Sequence, residues 1–383
     1  MRARAWPILL SALVARAALA DPAPAATPAP TGPQLTVSGY VEAFYQYNFN
    51  SPSNLVTAYR AFDDRTNSFT IDNAVLDVTG SWGDVFTRVA LQVGQTPSSY
   101  YESEPTYASV GGAGASDPET WRILQQALFG YKATPALVLD GGIFVSPIGI
   151  ENLPIRDQWN WSRSNLFYAL PYYHAGARAT YTFSPTVTGA FMVTNGWNDI
   201  VNRNKYPCIA GLVAWTPSPA LSTQFIYFGG VEPPPGTPVG QPWRNLFDAT
   251  ATWQASPELQ VAAQADAGVE PNDLGTTRWY GGAIYARVHV LPKFYVAARA
   301  DYLHEHDAPG APRLFFPAAS VHSITVTADY RPIDHLSIRL EARDDRASSP
   351  MYFDGTVQQD AAGNDIATAT SQDTLTLGVV TWF

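Results

Sequence analysis

Leu35-Thr-Val-Ser-Gly-Tyr-Val-Glu-Ala-Phe-Tyr-Gln-Tyr47 is the stretch that decides the fold. Leu35, Val37, Val41, Ala43, Tyr45 and Tyr47 fall on one side of an extended chain, and Thr36, Ser38, Glu42 and Gln46 on the other. Successive side chains of a strand point to opposite faces, so this segment reads as a strand with one apolar and one polar face. The same period of two recurs at 85–93, 175–181, 259–265, 294–302 and 336–342, where helical spacing fits less well. Alternation of this kind is shared by soluble sandwiches and membrane barrels and does not separate them.

The connections separate them. Short turns marked by Pro or Gly lie at 81–84, 134–135, 184–185, 216–219, 256–257, 291–292 and 331–334. Longer polar connections lie between them, at 50–66, 96–118, 146–171, 196–205, 229–244, 271–277, 305–318 and 345–371. Seven short turns alternating with eight long loops give sixteen strands, with both chain ends on the short-turn side. An even strand number with short periplasmic turns and long external loops is the pattern of an outer-membrane barrel. Trp82, Tyr131, Phe183, Trp215, Trp253 and Tyr330 each stand close to a short turn, as a ring of aromatics at the periplasmic headgroups requires. The expected fold is therefore all-β, a membrane-spanning closed antiparallel up-and-down barrel of about sixteen strands.

Composition agrees. Hydrophobic residues make up 46% of the 383-residue chain and charged residues only 15%, too few charges to cover an ordinary soluble surface. No segment after the first twenty residues carries 18 consecutive apolar residues, so any crossing is made by strands. Arg2 and Arg4, the apolar run 5–15 and Ala18-Leu19-Ala20 read as a secretory signal peptide over 1–20. Residues 21–34, dense in Ala and Pro, read as a flexible lead-in, and 35–383 as the barrel. Removing the signal leaves 20 basic against 33 acidic residues, a balance of −13 that argues against nucleic acid as a partner. The single cysteine, Cys208, allows no intramolecular disulfide. The last segment, Leu375-Thr-Leu-Gly-Val-Val-Thr-Trp-Phe383, alternates as well, and it must pair with the first strand to leave no free edge in lipid. Its terminal Phe383 looks like the signal read by the barrel-assembly machinery, although Thr381 departs from the residue usual two places earlier.

Four stretches go beyond a generic barrel: 139–149 (LDGGIFVSPIG), 160–178 (from NWSRSNLF into PYYHAGAR), 193–197 (VTNGW) and 279–287 (WYGGAIYAR). Together they resemble the outer-membrane β-barrel porin family described as OmpL-like, and the resemblance spreads over the whole chain after the signal. It implies a single-chain porin of a Gram-negative outer membrane, and it supplies neither a substrate nor catalytic residues.

In a sixteen-stranded barrel the lumen is too wide for side chains to fill, so an aqueous channel is expected. The polar face then lines it with Glu42, Arg88, Asp140, Arg178, Asp266, Arg299, Asp301, Arg339, Glu341 and Arg343. A charge facing lipid at mid-membrane costs about 2–4 kcal/mol, which fixes the face but not the use of these groups: they are either paired across the wall or selective for ions. The third long loop, with Glu151, Arg156, Asp157 and Arg163 among Pro154, Trp159, Trp161 and Phe167, is expected to fold inward as a constriction, or else to pack on the rim. Acidic residues gather in the external loops at Asp63, Asp64, Glu102, Glu104, Asp344, Asp345, Asp360 and Asp365, where they would draw cations or bridge lipopolysaccharide through divalent ions. His304-Glu305-His306 lacks the ligand spacing of a catalytic zinc, and His174 near Ser162 and Ser164 carries no nucleophile elbow. No catalytic, cofactor or metal residues are expected. Passive diffusion of ions and small polar solutes is the leading reading. The alternatives are a substrate-specific channel and a plugged structural or adhesion barrel. The expected partners are outer-membrane lipid, lipopolysaccharide, the assembly machinery, small solutes and two further copies in a homotrimer.

Overall fold

The computed structural model describes residues 32–102, 104, 118–232 and 238–383. The proposed signal peptide and most of the lead-in lie outside the described residues, as does part of the second long loop. The first eight strands are β1 (Gln34–Asn48), β2 (Phe69–Trp82), β3 (Val85–Val93), β4 (Leu124–Lys132), β5 (Leu137–Val145), β6 (Tyr173–Ser184), β7 (Val187–Thr194) and β8 (Cys208–Ser218). The remainder are β9 (Leu221–Val231), β10 (Trp243–Gln254), β11 (Leu259–Asn272), β12 (Gly275–Leu291), β13 (Phe294–His306), β14 (Ser320–Ile333), β15 (Leu336–Ala347) and β16 (Ser371–Trp382). Each pairs antiparallel with its neighbours in sequence, and β1 pairs with β16 from Tyr40↔Trp382 to Asn48↔Thr374, which closes the sixteen-stranded barrel. Closure leaves no unpaired strand edge, the condition for strands to cross lipid at all.

The two faces separate as the alternation requires. On β16, Gln372, Thr374 and Thr376 are buried toward the lumen while Leu375, Leu377 and Val379 are exposed on the outside. Trp82, Tyr131, Phe183, Trp215, Trp253 and Tyr330 all face outward near the short turns. A second set of outward aromatics, including Tyr47, Phe49, Phe69, Trp243 and Tyr280, rings the opposite end. Between the girdles lies an aliphatic belt represented by Ile284 and Ile324, joined in register through Ala300.

The expected long loop at 271–277 is instead a tight hairpin. β11 and β12 stay paired through Glu270↔Thr277 and Asn272↔Gly275, leaving Asp273 and Leu274 at the tip. Asn272 Oδ1 accepts a hydrogen bond from Leu274 N at 2.9 Å, an Asx turn, and Gly275 takes φ +141°, where side chains are strained. The polar residues that look like a loop are strand continued beyond the lipid belt. Asp344 and Asp345 likewise sit on β15 rather than in a loop, and His304, Glu305 and His306 end β13.

Replacing Ile324 by Arg places a charge in the lipid belt and should cost about 2–4 kcal/mol in denaturant unfolding from lipid vesicles, while Thr325→Ser on the lumen face of the same strand should cost well under half as much. Equal losses would mean that the faces are assigned the wrong way round.

Candidate functional site: the third loop and the lumen

The chain between β5 and β6, residues 146–172 and here L3, turns into the barrel. Its base is held by Ser146 N donating to Tyr172 O at 2.9 Å. Inside, an irregular segment exposes amides and carbonyls with few partners of their own, and buried backbone polar groups must find partners. The wall supplies them. Glu341 accepts from the amides of Trp161 at 2.5 Å and Ser162 at 2.9 Å. Glu42 accepts from Ile155 N at 2.6 Å. Asp301 accepts from the backbone and side-chain nitrogens of Asn165, at 3.1 and 2.9 Å.

The guanidinium groups take the carbonyls. Arg339 donates to Asn160 O at 2.9 Å and Gln158 O at 3.0 Å. Arg299 donates to Ser162 O at 2.6 Å and Arg163 O at 3.2 Å, and forms ion pairs with Glu151 at 2.9 Å and Asp301 at 3.2 Å. Arg343 donates to Arg163 O and pairs with Asp345 at 2.7 Å. These three arginines are buried to within 3% of full burial. Hydrogen bonds of this kind, with one partner charged, run about 1.5–3 kcal/mol each, so the set offsets a large part of the cost of ordering the loop. Trp161 packs the contact: its ring lies where a side chain on Gly378 of β16 would stand, with ring carbons 2.1 Å from an ideal Cβ position.

Of the loop's own charges, Glu151 also accepts from Ser164 N at 2.8 Å, and Arg163 donates to the carbonyls of Trp161, Asn152 and Leu153, stapling L3 to itself. Arg156 stands 3.8 Å from Asp157 and lies over the Tyr40 ring. Away from L3, Arg88 pairs with Asp77 at 2.5 Å and Arg178 with Asp140 at 3.0 Å, while Asp266 faces Asp248 across β10 and β11 and accepts from Gln264 at 2.9 Å.

Sequence reading passed over the other half of the wall. One inward hoop runs in register from Ser222 through Thr252, Ala262 and Tyr285 to Arg299, Thr325 and Arg343, neutral on β9–β12 and charged beyond. The next runs from Gln224 through Thr250, Gln264 and Ala283 to Asp301, Ser323 and Asp345, with the same division. L3 leans on the charged half. Between it and the neutral half lies an opening of about 860 Å³, continuous with solvent and lined by both flanks of L3 together with Gln224, Thr250, Thr252 and Tyr285. The signal for these residues was the same period of two that exposed the charges, but neutral polar side chains do not stand out in a sequence.

At the external end, Asp63 pairs with Arg60 at 3.4 Å, and Glu104 accepts from the amides of Ile200 and Val201. Burial pushes the Asp64 carboxyl up to about 6. His174 bonds Ser146 Oγ at 3.1 Å and stacks on Phe228, distant in role from Ser162 and Ser164, which are taken up with L3.

Glu341→Ala removes the acceptor for two loop amides and should weaken L3 anchoring by on the order of 3 kcal/mol. Limited proteolysis of the folded barrel should then cut within 146–172, where the parent chain resists, and Glu341→Gln should fall between the two. Unchanged protection in Glu341→Ala would mean that L3 is held in some other way.

The family model of the beta-barrel porin-2, OmpL-like family matches residues 34–383. No curated protein matches the chain. Among solved structures, the outer-membrane channel DcaP of Acinetobacter baumannii matches with a TM-score of 0.57 at 10% identity, over 93% of this chain and 99% of its own. The anion-selective porin of Comamonas acidovorans gives 0.59 at 12% identity, over 92% and 100%. OmpT of Vibrio cholerae, folded in vitro and in trimer form, gives 0.56 at 8% identity, over 92% and 99%. Identities this low speak to the fold, and the family match, which spans the whole barrel, speaks to the kind of protein. The chain belongs to the OmpL-like beta-barrel porin-2 family and is a porin of the outer membrane.

Proposed function

We propose that the porin passes ions and small polar solutes by passive diffusion through the opening between L3 and strands β9–β12, with a mild preference for cations. The observation that carries this reading is the fate of the lumen arginines. Arg299, Arg339 and Arg343 are buried against carboxylates and loop carbonyls, so they offer little free positive charge to a passing anion. Exposed acids stand at the external mouth. Asp360 and Asp365 are exposed in the last external loop, and hydrogen bonds from Asn364 and Asn54 respectively hold them below the usual carboxylate range. They stay ionised at any pH at which the protein works, and their attraction for cations is screened by salt over roughly 8–10 Å at physiological strength.

On this reading, residues 1–20 are an export signal, 21–34 a periplasmic lead-in, and Phe383 the residue offered to the assembly machinery. The external acids also suit divalent bridging to lipopolysaccharide. The chain is read as a channel and not a catalyst. A channel restricted to one substrate and a plugged structural barrel are the competing roles, and the opening beside L3 is the space a transport route would use.

Planar-bilayer recording of the refolded barrel should give discrete open steps, with a reversal potential in a potassium chloride gradient on the cation side at about 0.1 M that shrinks toward zero near 1 M. Asp360→Asn with Asp365→Asn should lower the low-salt preference. A folded barrel that carries no current would reject the channel, and anion preference would reject the charge argument.

The trimer form of OmpT supports a homotrimer for this chain. Unheated detergent gels should show a band near three times the monomer mass that collapses on boiling, and a lone monomer band would sink the assembly.

A further inference from the structure

The neutral half of the wall carries more recognition chemistry than a sieve needs. We propose that the opening between L3 and β9–β12 is a binding subsite for uncharged ring sugars, solutes that join a rim of hydroxyls to an apolar ring face. The proposal rests on the diffusion-channel reading and deepens it by naming a ligand.

Among the described residues, the opening is lined by no lysine and no arginine. Of its two carboxylates, Glu151 is taken up by Arg299 and Ser164, and Asp157 stands 3.8 Å from Arg156. An anionic solute would find no cation in the lining. What the lining offers instead is hydroxyl and amide groups in quantity, namely Ser222, Thr250 and Thr252 from the wall with Gln224, Asn152 and Gln158. Such groups both donate and accept, as the rim of hydroxyls on a sugar does.

Two aromatic rings complete the set. Trp159 of L3 and Tyr285 of β12 stand edge to face, centroids 6.4 Å apart and planes at 85°. A sugar ring carries an apolar C–H face that an aromatic face can cover, while its hydroxyls reach neighbouring amides. Tyr285 is itself buried, and its hydroxyl lies beside Ser164 outside hydrogen-bonding geometry, without a partner. An unpaired buried hydroxyl costs about 1–3 kcal/mol, which a solute hydroxyl or a water recovers. The position in the wall also matters. The lining residues share two register hoops on adjacent strands, so the subsite rests on rigid sheet on one side and on a clamped loop on the other.

The test is single-channel recording of the full mature barrel with sucrose, maltose or maltotriose added to one chamber, glycerol serving as a control matched for bulk conductivity. Current should fall along a saturating curve with each sugar, and only in proportion to bulk conductivity with glycerol. Trp159→Ala should raise the half-blocking concentration about tenfold, with Trp159→Phe between it and the parent. Tyr285→Phe should raise it by a smaller factor. Heat-modifiable gel migration verifies that each variant is folded. Linear decreases that match glycerol, stronger block by phosphate or benzoate than by the sugars, or an unchanged half-block in folded Trp159→Ala would each overturn the subsite while leaving the channel standing. Absence of current in the folded parent would overturn both.

Discussion

The structure depends on an exchange between two sets of groups that could not be buried separately. Arg299, Arg339, Arg343, Glu42, Glu341 and Asp301 project from the wall into a lumen where L3 excludes water, and an isolated charge there would cost several kcal/mol. L3 arrives with amides and carbonyls that no regular secondary structure satisfies. Each set solves the other's problem: carboxylates take amides, guanidinium groups take carbonyls, and Trp161 fills the space left by Gly378. This reciprocity explains how a loop of 27 residues with only a single turn each of 3₁₀- and α-helix, Ile155–Asp157 and Asn165–Tyr168, can hold a fixed place inside a barrel.

The exchange also sets where the channel can run. The charges that clamp L3 sit on β13, β15 and β1, so L3 leans to that side, while Gln224 of β9 and Gln264 of β11 add single bonds to Pro147 O and Ile150 N. At the two hoops that line the opening, the arc from β9 to β12 presents neutral side chains, with Asp248 and Asp266 one hoop further along. A transverse field across the opening would need charges free of the loop, and Arg299, Arg339 and Arg343 are engaged with it. Most of the field lines run between wall and loop at distances under 3.5 Å and do not cross the opening.

Much of this was legible beforehand, and the boundary is physical. Period two is a local property, so strands, faces, girdles and the sixteen-strand count follow from neighbours in sequence. The inward placing of the charged residues follows from the cost of charge in lipid. Two things were hidden. At 271–277, Glu270, Pro271, Asn272 and Asp273 give the composition of a loop, yet cross-strand pairing continues because a strand beyond the lipid belt no longer needs an apolar face. The L3 contacts were hidden for a different reason. Ile155 meets Glu42 across 113 positions and Trp161 meets Glu341 across 180, and their partners are backbone atoms, which carry no residue-type signal. Alternation says that Glu341 points inward, but not whether water or an amide meets it.

That distinction decides how the pore can be tuned. A charge in a water-filled lumen can be replaced and changes selectivity directly. A charge that holds the loop changes the shape of the opening before it changes the field, so substitutions at Arg299, Arg339, Arg343 or Glu341 act on pore size and on charge together. Gln224, Thr250 and Thr252 carry none of the loop-clamping charge, and Gln224 touches L3 only through a single bond to Pro147 O at 2.8 Å. They are positions where the lining can vary while the clamp stays intact. Scaffold and selectivity therefore occupy neighbouring arcs of one wall, and a change of preferred solute would be accommodated on the neutral arc at little cost to the fold.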